Sequence, residues 1–314
     1  MNAIITSDTV ASVSLDDAED PAFAQALGDS FVTFGFAILR DHAIPQELIE
    51  RAEEKSKAFF ALPDAVKRAY HLEGSGGARG LTPFGIETAK GAKAHDLKEF
   101  FHVGRELPEG HRFAEVMPPN VWPKEVTEFR ETFLELYDAF DAAGAKVLRA
   151  IADYLEIDRD WFLDSVREGN SVMRLLHYPP QNEPTGEHIR AGAHEDINTI
   201  TLLLGAEEAG LQLQTKEGEW MDVLPKPGEL VINIGDMLQR LTNGKLRSTS
   251  HRVINPAPDR ASKARYSMPF FLHFRPDFVI EALPSTVPEG EEPQWEPISS
   301  HDYLMERLRE IKLA

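Results

Sequence analysis

Cysteine is absent from the 314 residues. That excludes disulfides, thiolate metal sites, iron–sulfur clusters and cysteine nucleophiles together, so any metal here must be held by His, Asp or Glu. Basic residues are scarce. The 33 Lys and Arg face 52 Asp and Glu, a formal net charge of -19, with no basic block to override it. A nucleic-acid partner is therefore not expected, because phosphate backbones are bound by clustered Lys and Arg. No apolar run approaches the roughly 20 residues of a membrane span, so no membrane partner is expected either. The opening stretch MNAIITSDTVASVSLDDAED has no basic segment followed by an apolar core. No secretory signal is expected from it, and the default setting is cytoplasmic.

What is present reads as an ordinary globular chain, 42% hydrophobic and 27% charged, long enough to bury a core without a staple. Residues 1–120 read as a mainly helical region. Asp20-Pro21 pairs a cap with a proline at the first helical position, opening a helix to about Ser30. Phe34 to Leu39 is strand-like, and Pro45 starts a second helix with Leu48, Ala52, Ala58 and Phe59 on its apolar side. Within 121–169, a long helix is expected from Lys124 to about Leu155. There Val126, Phe129, Phe133, Leu136, Phe140, Val147, Leu148 and Ile151 recur at three- and four-residue steps. Between these helices, Gly74, Gly76, Gly77 and Gly80 punctuate a segment, about His71 to Asp96, that is expected to be mobile, either as a lid or as plain disorder.

From about residue 170 to 285 the texture changes to short β-rich runs: SVMRLLHY, NTITLLL, LQLQ, EWMDVL, ELVINI, STSHRVI and RYSMPFFLHF. Such strands separated by turn residues suggest an antiparallel sandwich, jelly roll or barrel. Residues 286–314 are expected to form an extension with a helix.

The chemistry concentrates in these strands. His194 and Asp196 are two apart, and on an extended strand that spacing puts both on one face with Glu195 turned away. His251 lies 55 residues further on (251 − 196), far enough for about four strands to return beside the first. Two His and one carboxylate make a facial iron site with positions left open. A His-x-Asp pair alone occurs often by chance, and a lone strand His is more often a satisfied core residue than a ligand. Arg265 and Ser267 form a second pair two apart. An inward Arg in a β core is costly without an anionic partner, and its planar fork suits a carboxylate, to which the hydroxyl adds a bond. In isolation, a surface Arg beside an unremarkable Ser is the better explanation of that pair.

In combination, His194, Asp196, His251, Arg265 and Ser267 resemble the isopenicillin N synthase-like family of iron(II) oxygenases, most of which use 2-oxoglutarate. Tyr178-Pro179-Pro180, Gly210-Leu211-Gln212, Gly218-Glu219-Trp220, Asn233-Ile234-Gly235-Asp236, Thr242-Asn243-Gly244 and Ser250-His251-Arg252-Val253 continue the likeness. Gly35-Phe36, Asp41 to Pro45 and Asp96 to Phe100 extend it to roughly residues 10–285. The resemblance implies an α+β fold with a double-stranded β-helix (jelly roll) core and an N-terminal helical region packed around it. It implies iron(II) held by His194, Asp196 and His251, with 2-oxoglutarate chelating the metal and reaching Arg265 and Ser267 with its distal carboxylate. Tyr178 would help hold that cosubstrate. Molecular oxygen and a small or medium organic metabolite complete the reaction, which releases succinate and carbon dioxide, usually with hydroxylation.

One position departs from the family pattern. Where Asn often stands two residues before the Tyr, this chain has Leu176, so that contact is lost or replaced. Strand alternation places Arg174 on the face of Tyr178, either touching an acidic substrate or held in an ion pair. Phe271 and His273 share the face of Arg265 and Ser267 and are expected to line the pocket, if Pro269 leaves the register intact. Asp236 is expected to cap a short helix to Leu241, Gly235 and Gly244 to serve turns, and Trp220 to be a core or interface aromatic. Three alternatives stand beside this reading: a same-fold oxidase that does not use 2-oxoglutarate, a non-catalytic binder, and a structural zinc site.

Overall fold

The computed structural model describes residues 9–73, 77–87, 95–181, 189–204, 210–256 and 261–310. The first part runs β1 (Ser12–Ser14), α1 (Pro21–Thr33), β2 (Phe36–Arg40), α2 (Gln46–Phe60), α3 (Asp64–Arg68), β3 (Gly80–Thr82) and β4 (Glu99–Gly104). Next come α4 (Phe129–Tyr154), α5 (Trp161–Val166), β5 (Val172–Tyr178), β6 (Ala191–His194), β7 (Ile200–Leu204), β8 (Leu211–Gln214), β9 (Trp220–Asp222) and β10 (Leu230–Ile234). The chain closes with α6 (Asp236–Leu241), β11 (His251–Val253), β12 (Arg265–Leu272), β13 (Val279–Ile280), β14 (Ile298–Ser299) and α7 (Ser300–Glu310).

Local chemistry explains the helix starts. The Asp20 carboxylate accepts from the Ala22 amide at 2.9 Å, with Pro21 at the first helical position. The long helix begins later than its periodicity suggests, at Phe129, because Glu128 before it is left-handed at φ 60°.

An eight-stranded sheet in the order β1-β2-β10-β7-β12-β5-β4-β3 faces a four-stranded sheet ordered β6-β11-β8-β9. The two form the double-stranded β-helix. One face of the larger sheet carries Met173, Leu175, Leu202, Met268, Phe270 and Leu272, which pack with α1, α2 and α4 in the main core. The opposite face sends Phe36, Phe100, Leu176 and Tyr178 inward to meet Leu211, Leu213 and Val253 of the smaller sheet. Period-two alternation thus separates a helix-facing side from a barrel lumen. Pro269 does not disturb it. Ser267 pairs with Leu176 and Phe270 with Met173 at the same offset, on either side of the proline.

The N-terminal region is less purely helical than its sequence suggests, because it also supplies β1 to β4 to the large sheet. All six residues of β4 are buried, so its polarity does not alternate and gives no strand pattern to read. Gly244 is a turn glycine at φ 80°. Gly235 is not, with φ -101°; a Cβ there would lie 2.1 Å from the Asn198 carbonyl oxygen, so the glycine answers a close backbone approach. Asp236 is the first residue of α6 rather than its cap, and accepts from the Tyr303 hydroxyl at 3.2 Å. Trp220 lies under the Arg252 guanidinium, 4.0 Å from its ring centre. Among the described residues no helix is long and apolar enough to cross a membrane.

Candidate active site

β11 pairs antiparallel with β6 so that His251 stands directly opposite His194, at the end of both strands. Asp196 differs from expectation in one respect. β6 ends at His194, so the carboxylate reaches the site from the loop just beyond the strand, not from an i+2 strand position. Other bonds fix it. The Asp236 amide donates to the Asp196 carbonyl at 2.7 Å and the Met237 amide to Ile197 at 3.3 Å, tying the loop to the start of α6.

Asp196 Oδ1 lies 4.0 Å from His194 Nε2 and 3.9 Å from His251 Nε2. One ligand atom from each residue falls within 4.8 Å of the others. The remaining polar atoms are committed elsewhere. His194 Nδ1 donates to the Gly192 carbonyl at 2.7 Å and His251 Nδ1 to the Thr249 carbonyl at 3.1 Å. A carbonyl only accepts, so Nδ1 carries the proton in both rings and Nε2 is the nitrogen left for a metal. Asp196 Oδ2 accepts from Thr201 Oγ1 at 2.5 Å and Asn233 Nδ2 at 2.7 Å, leaving Oδ1 free. Two imidazole nitrogens and one carboxylate oxygen fit iron(II), with bonds behind them of the kind that orient metal ligands. A closed structural zinc site would need a fourth ligand, and the group comprises three among the described residues.

Burial pushes the Asp196 carboxyl up, but the His251 and His194 rings and the donors Asn233 and Thr201 bring it below its usual range. His194 is drawn down to about 4, first by desolvation and then by His251. Its exposed surface, 37% of the side chain, faces the cavity described below.

Arg265 and Ser267 begin β12, opposite Tyr178 and Leu176 of β5. All four side chains are buried. Arg265 Nη1 donates to Ser267 Oγ at 3.1 Å, and its Cζ lies 5.1 Å from the Tyr178 ring centre. The cation, the hydroxyl and the tyrosine ring expected to share one face do so, and Leu176 adds an apolar side chain there.

A cavity of about 460 Å³ opens beside His194 and Asp196 and is walled by Arg174, Phe271 and His273, among others. All three therefore lie where strand alternation puts them. Arg174 takes part in an ion pair, its Nη1 3.3 Å from Glu87 Oε2. Its Nε donates to His102 Nε2 at 2.7 Å, and its Cζ sits 4.0 Å from the Phe100 ring centre and 5.3 Å from that of Phe271. Lys98 bridges Glu87 at 2.7 Å and Asp96 at 2.8 Å. Asp96 in turn accepts from the Gly192 amide at 3.0 Å, linking this charge cluster to the strand that carries His194. Burial draws His273 down to about 4, so its ring is neutral.

Several of these residues carry no readable signal in the sequence. Thr201 behind Asp196, Arg79 and Glu87 in the cavity wall, and Leu304 and Arg307 from α7 are brought in only by the fold. Asp96, Lys98 and Asn233, which also stands behind Asp196, fall in family-like stretches, which mark the segments but not the bonds these residues make. Of the expected lid, residues 74–76 and 88–94 lie outside the described residues. The remainder gives β3, which pairs with β4, and cavity wall at Gly77, Ala78, Arg79 and Glu87.

Comparison with known proteins bears on the family and the fold. Residues 9–125 match the family model of the non-haem dioxygenase in morphine synthesis N-terminal region, and residues 169–274 that of the 2OG-Fe(II) oxygenase superfamily. The 2-oxoglutarate-Fe(II) type oxidoreductase hxnY of Emericella nidulans is 35% identical, over 92% of this chain and 84% of its own length. A crystal structure described as a 2OG-Fe(II) oxygenase family protein from Caulobacter crescentus is 52% identical, with a TM-score of 0.90, over 97% of this chain and 100% of that one. A full-length Neurospora crassa protein, solved in complex with alpha-KG, is 30% identical with a TM-score of 0.87, over 98% and 99% of the two chains.

Proposed function

The chain belongs to the 2OG-Fe(II) oxygenase superfamily, and on that premise we propose that it hydroxylates a small or medium organic metabolite, with His194, Asp196 and His251 as the iron ligands. The observation that carries this reading is the free edge of the triad. The two Nε2 atoms and Asp196 Oδ1 converge beside the cavity that His194 and Asp196 line, while every other polar atom of the three side chains is engaged. Iron(II) with 2-oxoglutarate supplies dioxygen activation, the keto acid leaving as succinate and carbon dioxide.

The protein's own residues bind, orient and exclude water. In this proposal Arg265 and Ser267 take the distal carboxylate of 2-oxoglutarate, with Tyr178 packed against the guanidinium. The support is a buried cation already bonded to the hydroxyl beside it. The substrate occupies the cavity, where Arg174, Phe271 and His273 meet it and Ile197, Leu304 and Leu308 give an apolar wall that limits water. The Neurospora crassa protein has also been solved with thymine, a ligand of a size that a cavity of about 460 Å³ accommodates. A cytoplasmic setting and the exclusion of nucleic acid belong to the same proposal, the second supported by the net charge of -19.

The test is succinate formation by iron-loaded protein over a panel of metabolites under labelled dioxygen. The expected result is substrate-stimulated succinate, matched by product that carries one labelled oxygen. Product formed with no 2-oxoglutarate present would return the reading to the oxidase alternative. Product without label would replace hydroxylation by desaturation or ring closure.

A further inference from the structure

Arg79 is 1% exposed, and it lines the same cavity as His194 and Asp196. Its Nη1 donates to the Ala78 carbonyl at 2.7 Å, but its Nε and Nη2 are buried with no hydrogen-bond partner among the described residues. The other cavity cations there are matched, Arg174 by Glu87, Lys98 by Glu87 and Asp96, and Arg307 by Asp236 and Glu310. Burial brings the Arg79 guanidinium down only to about 10, so it stays charged at neutral pH. A buried cation with no counter-charge is costly, and is normally offset by a partner.

The position is built rather than accidental. The guanidinium lies against Gly104 of β4, where a Cβ would come within 1.9 Å of Arg79 Cζ. Gly104 is itself clamped by Asn120, which accepts from its amide and donates to its carbonyl, both at 2.8 Å. Two more lining atoms, Asn170 Oδ1 and His273 Nδ1, are also buried without partners among the described residues. His273 feels the charge of both Asp196 and Arg79, which places the guanidinium within electrostatic reach of the triad's own neighbourhood.

Nε and Nη2 form one edge of the guanidinium, the planar fork that meets both oxygens of a carboxylate. Taking this cavity as the substrate site, which rests on the function proposed above, we propose that the substrate carries a carboxylate and docks it on the Nε/Nη2 edge of Arg79. The anion is distinct from the distal carboxylate of 2-oxoglutarate, which has Arg265. It anchors one end of the substrate and leaves the uncharged remainder to face the metal.

Benzoate, with benzamide as its neutral counterpart, is the probe, titrated anaerobically by calorimetry into protein saturated with iron(II) and 2-oxoglutarate. Benzoate is expected to bind, benzamide at least about tenfold more weakly, and Arg79→Gln to weaken benzoate by about 30-fold or more. Arg79→Lys, which keeps the charge without the fork, should fall between. Equal binding of benzoate and benzamide, no benzoate binding at tens of millimolar, or unaltered binding in both variants would overturn the proposal. So would loss of benzoate binding in Arg265→Gln but not in Arg79→Gln, which would place the anion at the cosubstrate site. A merely structural arginine gives the opposite pattern, a lowered Tm with benzoate affinity intact. Failure of the oxygenase reading shows separately, as absence of 2-oxoglutarate binding to the iron-loaded wild type.

Discussion

Asn233 Nδ2 donates to Asp196 Oδ2 at 2.7 Å, from the end of β10 to a loop that no strand register holds. Thr201 Oγ1 on β7 is the second donor to the same oxygen, at 2.5 Å. Together they set which carboxylate oxygen faces the two imidazoles. Asn233→Leu and Thr201→Val should each lower iron affinity by about 10–100-fold, the usual cost of removing a bond behind a metal ligand. Chelator competition measures this. Wild-type affinity in both variants would mean that the α6 amides alone hold Asp196.

The ligands themselves are the sharper case. His194→Ala, Asp196→Ala and His251→Ala should each abolish turnover and iron retention while the circular dichroism of the fold persists, because the triad sits at strand ends outside the main core. Asp196→Ala should also cost stability, since it strands the buried donors Thr201 and Asn233, at about 1–3 kcal/mol for an unsatisfied group. Near wild-type turnover in any one variant would remove that residue from the triad.

Much of this site is legible in the chain, and the limits have physical causes. Alternation along β5 and β12 puts Arg174, Tyr178, Arg265, Ser267, Phe271 and His273 on lumen-facing positions, because period two is a property of the backbone. His194 and His251 are legible as a pair only through the motifs around them. The Asp196 geometry is not legible: a two-residue spacing suggests a strand, while the carboxylate lies past the strand end. Strand β4 is hidden by burial on both faces. Arg79 is hidden by its setting, in a glycine-punctuated stretch without periodicity. Gly235 and Asp236 read locally as a turn and a cap, since neither a close contact with Asn198 nor a bond from Tyr303 is visible in nearby sequence.

Gly235 offers a packing test. A methyl group there meets the backbone oxygen of Asn198 at 2.1 Å, which a rotamer change cannot relieve. Gly235→Ala should cost about 1–3 kcal/mol of stability, as overpacking does. Because the Gly235 amide bonds Thr199 and that of Asp236 bonds Asp196, iron affinity should fall with it. Thermal unfolding of the apo protein and chelator competition would show both. An unchanged Tm would mean that the loop gives way freely.

Lys67 and Glu99 form a buried pair, Nζ lying 2.9 Å from both carboxylate oxygens, and His177 Nδ1 meets Oε1 at 2.8 Å. Burial pushes the Glu99 carboxyl up, but the His177 and Lys67 hydrogen bonds outweigh it and leave the group below its ordinary value. A lowered carboxylate contributes stability that is full above its unfolded value, about 4.3, and lost as pH falls through the folded value. Lys67→Met should therefore cost about 3–5 kcal/mol at neutral pH, as breaking a buried pair does, and should flatten the loss of stability below about pH 4. Denaturant melts at several pH values measure both. An acid limb as steep as in wild type would assign it to other carboxylates.

Arg265 and Ser267 carry the remaining prediction, the assignment of the cosubstrate carboxylate. Arg265 is 4% exposed and its guanidinium is joined to Ser267 Oγ at 3.1 Å, so an incoming carboxylate would meet a cation and a hydroxyl already in register. Arg265→Gln keeps some hydrogen bonding but loses the charged fork. Losing a charge-assisted contact in a buried site costs about 2–5 kcal/mol, or about 30-fold or more in affinity at about 1.4 kcal/mol per tenfold. Ser267→Ala removes one neutral donor and should cost about 1 kcal/mol, roughly fivefold. Succinate formation against 2-oxoglutarate concentration, with iron quantified separately, reads both effects as a raised cosubstrate KM at unchanged iron content. If Arg265→Gln leaves that dependence where it was, the distal carboxylate is held elsewhere, and Arg79 becomes the first residue to examine in its place.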